Sequence, residues 1–145
     1  MLARKPDMAL VYGDTNSTLA GALAAAKLGV PIAHVEAGLR SFDRGMPEEI
    51  NRVLTDHVST LLLCPTQQAA ANLAKEGVTS GVSHVGDVMY DAAVVFGGAV
   101  NKADVLGRLS LAKGGYALCT LHRASNTDDP ARLGGILAGL AKVAD

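Results

Sequence analysis

Along this chain, short continuous apolar runs alternate with longer stretches whose apolar residues recur at helical spacing. Met8-Ala9-Leu10-Val11-Tyr12 predicts a strand, stopped by Gly13. Asp14-Thr15-Asn16-Ser17 then offers cap chemistry for a helix through Leu28, closed by Gly29. Ile32 to Val35 predicts a second strand, opened by Pro31. A loop from Ala37 to Met46 leads to a helix from Pro47 to about His57, where proline suits the first helical position and Glu48-Glu49 complement the helix N-terminus. Thr60 to Cys64 predicts a third strand, Thr66 to Gly77 a helix, and Val82 to Val85 a short fourth strand. Helical patterns over Met89 to Val100 and Asp104 to Leu109, a fifth strand over Tyr116 to Thr120 and a last helix from Pro130 to Val143 complete the series.

Strand and helix in strict alternation imply right-handed crossovers and a parallel sheet, and uniformly apolar strands predict that both faces are covered. The fold class is therefore α/β. The halves are unequal: residues 1–86 carry four strands, residues 87–145 only one. A single strand cannot make a sheet. Either the fifth strand joins the first four, or a second α/β domain begins near Gly86 and the chain stops inside it.

Composition narrows the function classes. The 145 residues are 49% hydrophobic and 19% charged, which excludes a disordered chain. A net charge of -1 supplies no basic excess for nucleic acid or an anionic membrane, so neither is expected as a partner. No apolar run approaches the length of a bilayer span, and no apolar segment precedes Pro6 and Asp7 as a signal peptide would require. The expectation is a soluble, cytoplasmic protein. Cys64 and Cys119, isolated in apolar runs, read as small buried hydrophobes.

Ligands of open parallel sheets bind beyond the carboxyl ends of the strands. Asp14 follows the first strand, Glu36 the second and His122 the fifth, while Glu48 opens a helix that the intervening loop could swing to the same crevice. Carboxylates and a histidine converging from separate strands suit proton transfer. Each also has a structural reading: Asp14 as a helix cap, Glu48 as first-turn electrostatics, His122 with Arg123 as a surface loop. His34, inside a strand, reads as a hydrogen-bonded core residue. Gly13 permits a tight turn, but no dinucleotide or triphosphate glycine motif is present, and no cofactor is expected. The same four residues are oxygen and nitrogen donors that could take Mg or Mn, but without a close-spaced ligand pair no metal is expected.

Gly13-Asp14-Thr15 with Ser17-Thr18-Leu19-Ala20, His34-Val35-Glu36-Ala37-Gly38-Leu39-Arg40-Ser41, Pro47-Glu48-Glu49 with Asn51-Arg52, and Gly86-Asp87-Val88-Met89-Tyr90-Asp91-Ala92 occur in the order seen in UDP-N-acetylglucosamine 2-epimerases. Thr120-Leu121-His122-Arg123 with Asn126 resembles that family's T-x-H-R-x-x-N stretch, and Ser125 departs from the glutamate common there. The resemblance runs end to end, yet the family is longer, and this chain looks like its middle. It implies a glycosyltransferase-B-like architecture of two Rossmann-like domains, both incomplete here: 1–86 as the later part of the first domain, 87–145 as an interdomain helix and the start of the second.

The resemblance further implies interconversion of UDP-GlcNAc and UDP-ManNAc through a glycal intermediate, feeding cell-surface polysaccharide precursors. Family catalytic positions carry over onto Asp14, Glu36, Glu48 and His122, and substrate-binding positions onto Gly13, Thr15, Arg123 and Asn126. Thr15 and Glu36 favour the non-hydrolysing type over the hydrolysing epimerases. A homodimer of the full-length protein, and activation by UDP-GlcNAc in bacterial members, enter by the same implication. The alternatives are an inactive fragment or a UDP-sugar-binding module, and the isolated chain is expected to lack epimerase activity.

Overall fold

The structure, a computed structural model, describes residues 3–4, 6–98 and 102–144; of residues 102–104 only the backbone is described. Met1, Leu2 and Lys5 of the leader reading, and Val100 at the end of a predicted helix, lie outside the described residues. Two compact units are present, Met1–Gly98 and Ala99–Asp145.

The first unit contains strands β1 (Ala9–Tyr12), β2 (Ile32–Val35), β3 (Leu61–Cys64) and β4 (Val82–His84) in one parallel sheet of order β1-β2-β3-β4. Tyr12 pairs with Val35, Val35 with Leu63 and Cys64 with His84, so the strand ends that carry Gly13 and Glu36 lie side by side. Helices α1 (Asn16–Lys27), α2 (Pro47–Val58) and α3 (Gln67–Lys75) make the crossovers, and α4 (Val88–Gly97) follows the sheet. The α/β expectation for this unit is met.

Local chemistry accounts for the helix starts. The Thr15 hydroxyl accepts the Thr18 N–H (3.3 Å), so Thr15 rather than Asp14 caps α1. Thr66 caps α3 through the Ala69 N–H (3.1 Å), and the Asp87 carboxylate caps α4 through the Met89 and Tyr90 N–H groups (2.8 and 3.3 Å). Helix α2 has no side-chain cap; Pro47 stands where a missing N–H costs nothing.

Strands taken in sequential order with right-handed crossovers put α1, α2 and α3 on one face of the sheet. The core forms there, Ala22 and Ala25 against Ile32 at one end, and Leu62 and Cys64 against Ala69 and Leu73 at the other. The expected cover on both faces is not met at β1, whose Leu10 and Tyr12 are 51% and 58% exposed. Helix α2 inverts the usual amphipathic rule: it buries Glu49, Asn51, Thr55 and Asp56 and exposes Ile50 and Leu54.

The second unit contains α5 (Lys102–Arg108), α6 (Ala124–Thr127) and α7 (Pro130–Ala144). The predicted strand over Tyr116 to Thr120 does not form, and these residues are exposed. The reason is elementary: a lone extended segment has no ladder partner for its backbone groups. Cys119 is consequently exposed, against the buried position expected of it, whereas Cys64 is fully buried as expected.

Candidate active site

The candidate residues Gly13, Asp14 and Glu36 stand where β1 and β2 end. Gly13 turns the chain with φ +63°, a conformation that disfavours any side chain, and its N–H donates to the Val35 carbonyl (3.0 Å). Its own carbonyl accepts from His34 Nε2 (2.8 Å), so β2 grips this turn twice. Asp14 follows, and its carboxylate pairs with Arg52 Nη2 of α2 at 2.5 Å. Asn51 Nδ2 donates to the Asp14 carbonyl and to Asn16 Oδ1, each at 2.9 Å. Two consecutive residues of α2 thus hold the β1–α1 turn.

Glu36 leaves β2 with φ +72°, in the left-handed region where a non-glycine residue costs energy and which clusters at functional sites. Its N–H and that of Ala37 both donate to the Leu63 carbonyl (3.1 Å each), fixing the turn. Its side chain is half-buried, and no donor among the described residues bonds its carboxylate. A Cβ built on Gly13 would stand 3.6 Å from Glu36 Oε2, which places Gly13 directly against this acid. The two acids are therefore in unlike electrostatic environments: Asp14 is neutralised by Arg52 and Glu36 is not.

Glu48 and Glu49 take different roles. Glu48 is exposed on the first turn of α2 and joins none of the bonds above. Glu49 is buried, accepting the Ser41 N–H and hydroxyl (2.8 Å each), the Phe42 N–H (3.0 Å) and Arg52 Nη1 (3.2 Å). Burial opposes its charge, but these four donors outweigh burial and hold its carboxyl below the ordinary range. Arg52 thus splits its terminal nitrogens between Asp14 and Glu49, leaving its buried Nε without a hydrogen-bond partner among the described residues.

A buried ion network supports the loop. Asp56 accepts from Arg40 Nη1 (2.7 Å) and the Gly38 N–H (3.1 Å), and its other oxygen lies 2.7 Å from His34 Nδ1. Arg40 also pairs with Glu76, whose second oxygen lies 3.2 Å from His57 Nε2. Burial works against the Arg40 charge, yet the bonds to Glu76 and Asp56 prevail and raise its already high pKa. A cavity of about 510 Å³ opens between this loop, α2 and α3, lined by Arg40, Phe42, Arg44, Val53 and His57. It touches neither Asp14 nor Glu36, which stand at the strand ends with Glu36 beside Gly13.

In the second unit, His122 and Arg123 are exposed at the start of α6. Asn126 Nδ2 donates to the His122 carbonyl (3.1 Å), and the Asn126 N–H donates to the Arg123 carbonyl (2.9 Å), so these three residues form one turn. Arg123 has φ +80°. Among the described residues no three His, Cys, Asp or Glu side chains gather to hold a metal ion. No helix among them is long and apolar enough to cross a membrane. Sequence reasoning gave Glu49 only a helix-start role, named Arg40, Asn51 and Arg52 only as part of the family motifs, and gave no role to Asp56. Only the Glu49-to-Arg52 spacing, one helical turn, carried a local signal.

A parallel sheet crossed over by helices, with acids just past two of its strand ends, makes this an α/β protein. The family model described as UDP-N-acetylglucosamine 2-epimerase matches residues 1–145, and the chain belongs to that family. It is 56% identical over 139 residues to a UDP-N-acetylglucosamine 2-epimerase homolog of Methanococcus maripaludis, covering 94% of this chain and 39% of that protein. It is also 56% identical over 146 residues to a UDP-2,3-diacetamido-2,3-dideoxy-D-glucuronate 2-epimerase of Pseudomonas aeruginosa, covering 99% and 40%. A crystal structure of the Methanocaldococcus jannaschii UDP-GlcNAc 2-epimerase with UDP-GlcNAc and UDP superposes with a TM-score of 0.86 at 46% identity, covering 98% of this chain and 40% of that one. The chain thus spans about 40% of the length of these relatives.

Proposed function

We propose that the full-length protein carrying this chain is a non-hydrolysing UDP-N-acetylglucosamine 2-epimerase, interconverting UDP-GlcNAc and UDP-ManNAc. One observation carries the reading: Glu36 is held in a strained backbone at the carboxyl edge of the sheet, uncompensated and facing Gly13. A structural glutamate would have a cation or backbone donor to hold its charge, as Glu49 has. An acid without one suits a role in which its charge meets the substrate.

A sugar C2–H is a very weak acid. As the C1–O bond to UDP breaks, positive character at C1 acidifies that proton, and a carboxylate beside the ring stabilises the charge or takes the proton. Loss of the C2 proton and of UDP leaves a glycal. UDP then adds back at C1 as C2 receives a proton on its opposite face. In this reading Glu36 and Asp14 serve the reacting ring with Glu48 at its margin. Gly13 and Thr15 line the turn beneath it, and the family's diphosphate-binding positions fall on His122, Arg123 and Asn126 of this sequence. Residues 87–145 are an interdomain helix and the start of the second of two Rossmann-like domains in a glycosyltransferase-B-like architecture, and the protein works as a cytoplasmic homodimer in making polysaccharide precursors.

The test is isotopic. Incubated with UDP-GlcNAc in deuterated buffer, the full-length enzyme is expected to return UDP-GlcNAc and UDP-ManNAc with deuterium at C2; turnover without deuterium would overturn proton abstraction. A second reading is favoured by the identity to the Pseudomonas enzyme: the sugar is UDP-2,3-diacetamido-2,3-dideoxyglucuronate. Offering both sugars separates the two, because the chemistry at C2 is common and only the groups at C3 and C6 differ.

A further inference from the structure

His34 is fully buried in the middle of β2, and both of its ring nitrogens face acceptors. Nε2 lies 2.8 Å from the Gly13 carbonyl oxygen, which can only accept, so Nε2 carries a hydrogen. Nδ1 lies 2.7 Å from Asp56 Oδ1. The other Asp56 oxygen accepts from Arg40 Nη1 and from the Gly38 N–H, the company of an ionised carboxylate, so Nδ1 is also a donor. Two donating nitrogens make an imidazolium. The groups packed around it agree: among the described residues Asp56 from α2 is the acid bonded to the ring, Arg40 from the loop bonds that same carboxylate, and the neighbouring strands set Val11 and Leu62 alongside. Further along β3, burial keeps the Cys64 thiol protonated and therefore neutral.

We propose that His34 and Asp56 are a positioning pair for the site: Asp56 holds His34 as an imidazolium, and its Nε2–H fixes the Gly13 carbonyl and so the span between Asp14 and Glu36. Gly13 precedes Asp14, and His34 lies two residues before Glu36 on the adjacent strand. The bond from His34 is therefore the side-chain tie between the two acid-bearing turns, parallel to the backbone tie from Gly13 to Val35. The catalytic part of the proposal rests on the epimerase reading; the charge state does not.

The experiment is nitrogen NMR on full-length enzyme labelled with 15N-histidine, at about pH 8, where an ordinary imidazole is neutral. His34, assigned by through-bond correlation from its backbone amide to its ring, is expected to show hydrogens on both ring nitrogens; a single protonated nitrogen overturns the proposal even if every variant fails to fold. Kinetically, Asp56→Asn should lower kcat roughly 10- to 100-fold through misplacement of the acids, with KM changed only a few-fold. Asp56→Glu, which keeps the charge, should recover part of the rate. Unchanged kcat in folded Asp56→Asn overturns the positioning role. Two protonated nitrogens in an enzyme that turns over no UDP-sugar would uphold the charged pair and overturn the epimerase reading instead.

Discussion

The Glu36 carboxylate stands 3.6 Å from the point where a β-carbon on Gly13 would project. Residues at the ends of two adjacent strands thus meet, and Gly13 makes the room by having no side chain. Gly13→Ala would put a methyl group in van der Waals contact with Glu36 and force alanine into φ +63°, a conformation that costs L-residues about 1–2 kcal/mol. The expected outcome in the full-length enzyme is a folded protein with turnover reduced by roughly 10-fold or more, read by steady-state kinetics beside a thermal melt. Parent-like turnover would place the sugar elsewhere.

Glu36→Gln keeps the shape of the acid and removes its charge. No ion pair is broken, because no donor among the described residues bonds this carboxylate, so stability should change little. The rate of epimerisation should fall by roughly 10²-fold or more, the scale of one lost acid-base or electrostatic group. Circular dichroism and a kinetic assay on the same preparation check both halves. If the variant turns over within a few-fold of the parent, Glu36 is scaffold.

Gly38 serves the fold. A β-carbon there would run into the backbone carbonyl of Ala69 on α3, 2.7 Å from its carbon, at φ +79°. Neither atom belongs to a side chain that can rotate away. Gly38→Ala should therefore destabilise by about 3 kcal/mol or more, since overpacking and backbone strain add. Urea unfolding measures this, and a loss below about 1 kcal/mol would mean the loop shifts more easily than its bonds to Asp56 and Asn72 indicate.

How far the sequence could be read depended on the physics behind each feature. Strands β1 to β3 were legible because they are uninterrupted apolar runs, and α1 and α3 because Thr15 and Thr66 stand before them. Asp14 and Glu36 were legible as acids just beyond strand ends. The role of Glu49 was not: it is identical in type to Glu48, and only helix phase combined with the return of the loop brings Ser41 and Phe42 onto it. Asp56 and Arg40 were hidden for a related reason. Hydrophobic periodicity locates buried helix faces, and α2 buries a polar one while Ile50 and Leu54 face out. Tyr116 to Thr120 misled in the opposite direction, since the apolar pattern of a strand is necessary but its hydrogen bonds need a neighbour.

Glu49 gives the loop a dependence on pH whose sign follows from its surroundings. Burial alone would raise its carboxyl pKa, but the Ser41 N–H and hydroxyl, the Phe42 N–H and Arg52 together bring it below the ordinary value of 4.5. A carboxyl whose folded value is depressed contributes stability that is fully present above the unfolded value. That stability is lost as pH falls from about 4.5 through the folded value. Glu49→Gln keeps the packing and one set of acceptor lone pairs but removes the charge that three backbone and hydroxyl donors and one guanidinium address. It also leaves Arg52 with Asp14 as its one acid partner. At pH about 7 the variant should be less stable by roughly 1–3 kcal/mol, the scale of hydrogen bonds to a buried charged group. Because the variant cannot titrate at this position, the gap between parent and variant should narrow steadily below about pH 4.5, while the contribution of Glu76 stays common to both. Urea denaturation at several pH values measures the gap directly. A gap that stays constant from neutral to acid pH would show that the clamp on Ser41 and Phe42 works through shape and not through charge.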